Sequence, residues 1–109
     1  MNNKELGDFG ETQACWLLKK KGYHIVEKNW RCPVGEIDII ARRGRMLAFV
    51  EVKTRRSLKY GDPKEAVTSK KRQRIKNAAW YYMASHQMQS YDMRCDVIEI
   101  YMNHLESAF

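Results

Sequence analysis

The feature that most constrains this chain is a pair of apolar segments, Glu36-Ile37-Asp38-Ile39-Ile40-Ala41 and Met46-Leu47-Ala48-Phe49-Val50-Glu51-Val52-Lys53, separated only by Arg42-Arg43-Gly44-Arg45. Short runs rich in β-branched and aromatic residues read as strands, and so brief a glycine-containing loop makes them an antiparallel hairpin. A hairpin this apolar needs cover on its faces. From Lys4 to Lys21, Leu6, Phe9, Ala14, Leu17 and Leu18 recur at helical spacing, and Gly22 follows as a C-terminal stop. Tyr23 to Arg31 reads as a strand. Asp62-Pro63-Lys64-Glu65 supplies a cap candidate, a proline at the first helical position and a glutamate three residues after the cap, so a long helix is predicted from there to about His86. Met93 to Met102 alternates as a last strand. The order α-β-β-β-α-β predicts an α/β fold, a mixed central sheet flanked by helices. At 109 residues with no repeat or linker-like tract, one domain is expected over 1–109.

Charge is concentrated rather than spread. Residues 52–76 hold ten basic residues against two acids, a net of +8 that leaves the remainder of the chain at −1. A local basic surplus of this size favours a polyanionic partner. The longest apolar run, residues 78–84, is far too short for a transmembrane helix, and the first eleven residues have no apolar core of a secretory signal. Cys15, Cys32 and Cys95 are odd in number and far apart, which predicts free, buried thiols rather than a disulfide or zinc site. A cytoplasmic location without membrane contact is therefore expected.

Strand alternation puts Leu47, Phe49, Glu51 and Lys53 on one face, an unusual place for two charges. Folding the hairpin about Gly44 brings Asp38 opposite positions near 50 and 51, so Asp38 and Glu51 can converge. Two carboxylates this close repel unless a cation lies between them, and hard oxygen ligands select Mg²⁺ or Mn²⁺. A lysine two residues along the strand can act on water or on charge developing at a phosphate oxygen. The parts suit metal-assisted phosphodiester hydrolysis. A solvated ion pair at a strand end accounts for Glu51 and Lys53 equally well; Asp62-Pro63-Lys64 matches the same acid-x-Lys triplet within a helix cap. Glu11 lies at the edge of the first helix's apolar stripe, where it can face the sheet or simply be solvated.

Several motifs in fixed order resemble a known family. Glu11, Asn29-Trp30-Arg31, Gly35-Glu36-Ile37-Asp38, Phe49-Val50-Glu51-Val52-Lys53 and Gly61-x-Pro63-x-Glu65-Ala66-Val67 look like the YraN-type family of small bacterial proteins, over about residues 8 to 102. That family resembles the PD-(D/E)XK nucleases, restriction-endonuclease-like in fold and closest to archaeal Holliday-junction resolvases. The resemblance implies that Asp38 and Glu51 are metal-binding acids, with Val52 as a further metal position. It also implies that Lys53 is the catalytic lysine and Glu11 the helix-borne acid completing the site. The superfamily's proline before the aspartate is Ile37 here, a variation that resolvase-like members share.

The basic strip follows this site directly. Arg55, Arg56 and Lys59 are expected on a loop reaching phosphates, and Lys70, Lys71, Arg72, Arg74 and Lys76 continue along the second helix. Such a strip suits sequence-independent, salt-sensitive binding of nucleic acid, with DNA the expected partner. Within that helix Ala78 to Met83 is apolar all round, which predicts burial on two sides or a homodimer contact through Trp80 and Tyr81. Two functional expectations result: a metal-dependent endonuclease acting on DNA, branched or structured DNA included, or a module of the same fold that binds nucleic acid without cutting. A third is an interaction protein using the aromatic helix.

Overall fold

The computed structural model describes residues 1–55 and 67–109. Its elements run α1 (Asn3–Lys20), β1 (His24–Cys32), β2 (Gly35–Arg43), β3 (Met46–Arg55), α2 (Ser69–Ser85) and β4 (Asp92–Tyr101). The strands form one sheet in the order β1-β2-β3-β4. β2 pairs antiparallel with both β1 and β3, and β4 runs parallel to β3 after the crossover through α2. The chain is thus an α/β protein with the expected mixed sheet and element order. Arg43 pairs with Met46 across a two-residue turn, where Gly44 takes a φ of +60° that favours glycine.

Each face of the sheet carries one helix. Ile37, Ile40, Leu47 and Phe49 pack with Ile75, Ala78, Ala79, Tyr82 and Met83 of α2. On the other face Ile39, Ala41, Ala48 and Val50 pack with Ala14, Cys15 and Leu18 of α1. Burying a side chain such as Leu47 or Phe49 completely is worth about 1.5–3 kcal/mol, so the hairpin anchors both layers. The two clusters also expose an irregularity. Ile37 and Ile40 share a face while Ile39 and Ala41 share the other, so strict alternation on β2 slips by one residue at Asp38.

Three expectations change in detail. The second helix starts at Ser69, capped by the Thr68 hydroxyl, which accepts from the Lys71 N–H at 3.1 Å. Thr68 is extended, with ψ 163°, so a helix running unbroken from residue 62 is ruled out; the cap expected at Asp62 lies outside the described residues. The buried stripe of α1 is Leu6, Gly10, Ala14, Cys15 and Leu18, whereas Phe9 is left exposed because the stripe advances in steps of four from Leu6 through Gly10 and Ala14 to Leu18. All three thiols are free, but only Cys15 is buried. Cys32 is half-buried and Cys95, on the edge strand β4, is exposed.

The apolar run in α2 divides. Ala78, Ala79, Tyr82 and Met83 face the core, and Trp80 and Tyr81 face outward, so the helix is not buried on two sides. Among the described residues no helix is long and apolar enough to cross a membrane.

Candidate functional site

The site forms where the β2–β3 pairing ends. The last paired positions are Ile39 and Val50, so one further step sets Asp38 beside Glu51. The slip at Asp38 turns its side chain away from the α2 core. Its Oδ2 accepts a hydrogen bond from the Val52 N–H at 2.8 Å, and its carboxyl is close enough to Glu51 for the two to share a hydrogen bond. Burial pushes the Asp38 pKa up to about 6, and the neighbouring Glu51 charge adds to the shift against the opposing Val52 bond. The convergence expected from the hairpin register is present.

Glu51 is the only buried charged residue among those described. One of its oxygens, Oε1, holds two ammonium groups: Lys71 at 2.6 Å and Lys53 at 3.3 Å. Burial, with Lys71 close by, pulls the Lys53 pKa down. Burial is the largest influence on the Lys71 ammonium and works against it, but the contacts with Glu51 and Lys53 and the charges of Glu51 and Asp38 together outweigh it, and the net shift is upward. The two lysines therefore divide one counter-charge unequally, and Lys71 has the greater share.

Two clefts meet at this point. Asp38, Lys53 and Glu11 line one on the α1 side, together with Asn3, Gly7, Asp8 and Thr54. Glu51, Lys71 and Arg74 line the other, about 510 Å³, against Arg31 and the turn from Cys32 to Glu36. The carboxylate pair is the wall between them.

Glu11 does not join Asp38 and Glu51 directly. It is fixed across the α1-side cleft by the Asn29 side-chain amide, which donates to Glu11 Oε1 at 2.9 Å. Among the described residues no group of three or more His, Cys, Asp or Glu side chains is clustered as for a metal ion. The donor set is thus a carboxylate pair. That suits Mg²⁺, which keeps several waters and is commonly bound through one or two carboxylates. Glu11 reaches Asp38 only as a longer-range charge.

The basic residues separate into two kinds. Lys70, Arg72, Arg74 and Lys76 are exposed on α2. Arg55 belongs to the end of β3 rather than to a loop, with its main-chain carbonyl accepting from Met102 N–H at 3.0 Å. Arg56 and Lys59 lie outside the described residues. Lys71, expected as an outward phosphate contact, is turned onto Glu51. Asn29 and Lys71 are the residues whose local roles the sequence hid: Asn29 stood within a motif without an assigned task, and Lys71 within a run of equivalent-looking cations.

The family model described as "Uncharacterised protein family UPF0102" matches residues 10–100, a span that contains Glu11, Asp38, Glu51, Lys53 and Lys71. This chain belongs to the UPF0102 family. A UPF0102 protein of Caldicellulosiruptor saccharolyticus is 50% identical over 103 residues, covering 94% of this chain and 87% of its own. One from Clostridioides difficile is 47% identical with both chains covered fully. Another, from Alkaliphilus metalliredigens, is 50% identical over 98 residues, 90% of this chain and 86% of its own. Membership of UPF0102 bears out the resemblance to the YraN-type proteins drawn from the motifs.

Proposed function

We propose that this UPF0102 protein is a divalent-metal-dependent nuclease that hydrolyses phosphodiester bonds of DNA. The observation that carries the reading is the convergence of Asp38 and Glu51, with Lys53 3.3 Å from Glu51, at the end of an otherwise apolar hairpin. Holding a half-buried carboxylate beside a buried one costs free energy that packing alone does not return, and such pairs cluster at functional sites. Asp38 and Glu51 would hold Mg²⁺ or Mn²⁺, with the main chain of Val52 beside them and Glu11 on the opposite wall. The ion would supply neutralising charge at the scissile phosphate. Lys53 places an ammonium donor where it can stabilise charge on a phosphate oxygen. Lys70 and Arg74 on α2 bind flanking phosphates, with Arg55, Arg56 and Lys59 following the site in sequence.

The placement of the α2 cations supports the binding half of this reading. Its first turn contains no acid, and Lys70, Lys71 and Arg72 stand at the helix end whose dipole repels positive charge. These cations do not serve helix stability, and the same end attracts phosphate.

One observation favours a second reading. Glu51 already has two lysine partners, so the cluster is electrically satisfied without a metal, as in a module that binds nucleic acid but does not cut it. The test is incubation with Mg²⁺ or Mn²⁺ and a panel of linear, nicked, flapped and four-way-junction DNAs. The nuclease reading expects cleavage that Asp38→Ala, Glu51→Ala and Lys53→Ala each abolish. Binding to the whole panel with no cleavage at any metal concentration would establish the second reading instead.

A further inference from the structure

Glu51 Oε1 is shared by two lysines of different origin. Lys53 lies two residues further along β3, tied to the strand that carries Glu51, and its side chain is 22% exposed. Lys71 comes from the first turn of α2, is 36% exposed and makes the shorter contact at 2.6 Å. Two ammonium groups on one oxygen repel each other, so the arrangement holds only while the carboxylate pair has no other cation. The one free to leave is Lys71. It sits on a long flexible stem, its helix dipole disfavours it there, and it opens onto the cleft it shares with Arg74 and Arg31, both exposed cations. A phosphate entering that cleft meets Arg74 and Lys71, with Arg31 beside them paired to Glu36 at 3.4 Å.

We infer that Lys71 is a displaceable counter-cation: its ammonium occupies Glu51 in the free protein and transfers to a substrate phosphate, which releases that carboxylate oxygen to a divalent ion. The inference rests on the metal-site reading above and adds a coupling to it. In the free protein a divalent ion must compete with Lys71, so metal loading is weak until nucleic acid is bound. By reciprocity, the ion strengthens nucleic-acid binding by the same factor. Lys71 is accordingly a positioning residue for the metal site and a binding residue for phosphate.

The experiment titrates DNA-free protein with MnCl₂, reading free Mn²⁺ by electron paramagnetic resonance, and separately measures binding of a short DNA duplex in EDTA. Wild type is compared with Lys71→Met, which keeps the apolar stem and removes the charge; thermal melting verifies folding, and Lys71→Gln replaces it if the methionine variant does not fold. The expected result is Mn²⁺ binding about tenfold tighter in the variant, the effect of removing one positive charge roughly 6 Å from a divalent ion in a water-like dielectric. Duplex binding should be several-fold weaker. A purely structural role for Lys71 would weaken both. Equal or weaker Mn²⁺ binding in the variant overturns the inference and leaves the metal site standing. No Mn²⁺ binding by either protein at millimolar concentration overturns the metal reading and the inference together. Tighter Mn²⁺ binding with unchanged duplex binding overturns the transfer to phosphate.

Discussion

The main-chain N–H of Val52 donates to Asp38 Oδ2 at 2.8 Å, so the strand that carries Glu51 and Lys53 also fixes the carboxylate opposite them. That bond stands where the β2–β3 ladder would have continued. A backbone donor that would otherwise pair with a neighbouring strand is given to a side chain instead, and the sheet opens enough to admit two carboxylates. The same bond stabilises ionised Asp38, but burial prevails and holds the pKa at about 6.

The first prediction follows from that balance. The folded chain keeps the Asp38 proton up to about pH 6, while the unfolded chain releases it near pH 4, so between these values the folded state binds more protons. Stability from this group is therefore fully present below about pH 4 and is lost as pH rises through 6. Asp38→Asn should remove the loss and raise stability at pH 8 by about 1–2 kcal/mol, after discounting for partial exposure. Urea denaturation of both proteins at pH 5 and pH 8 tests this; a variant less stable than wild type at pH 8 would contradict it.

A second prediction concerns how α1 meets the sheet. A Cβ added at Gly10 would stand 1.8 Å from Thr54 Oγ1 and 2.9 Å from Thr54 Cβ, so helix and strand must separate to admit it. Gly10→Ala should cost about 1–3 kcal/mol. Gly7 has no atom within 4 Å of the same position, and Gly7→Ala should be neutral or stabilising by up to about 1 kcal/mol through helix propensity. Paired thermal melts decide it, and equal effects at the two glycines would show that α1 does not approach β3 so closely.

Asn29 gives a third. It adopts a φ of +51° and anchors Glu11 at 2.9 Å. Alanine there loses the bond and meets the left-handed penalty, for about 1–2 kcal/mol; glycine loses the bond but not the conformation and should cost less. If the alanine variant proves as stable as wild type in chemical denaturation, neither the backbone geometry nor the bond to Glu11 contributes.

The fourth concerns the α2 surface. Lys70 and Arg74 are exposed, and Lys70→Ala with Arg74→Ala should weaken duplex binding across unrelated sequences by similar factors while lowering the salt slope of log K by roughly 2. Filter binding at several salt concentrations measures both. An unchanged slope would remove this face from the nucleic-acid interface.

What the sequence by itself determined is what short-range patterning controls. The hairpin, the order of elements and the approach of Asp38 to Glu51 follow from a short loop about Gly44, because strand register is set within a few residues of it, whereas the slip in alternation at Asp38 was not legible. The apolar anchors Leu47 and Phe49 were legible for the same reason. Local signals misplaced the start of α2, since Asp62 and Pro63 form as good a cap pattern as Thr68 does. Only the tertiary structure decided which cations serve which acid. Lys70, Lys71 and Arg72 are adjacent in sequence and alike in charge, yet helix rotation delivers Lys71 alone to Glu51, twenty positions away. Likewise Glu11 and Asn29 meet only because α1 packs across β1. Contacts between elements depend on how whole faces pack, and packing is settled by the sum of many buried side chains rather than by any residue's neighbours in the chain.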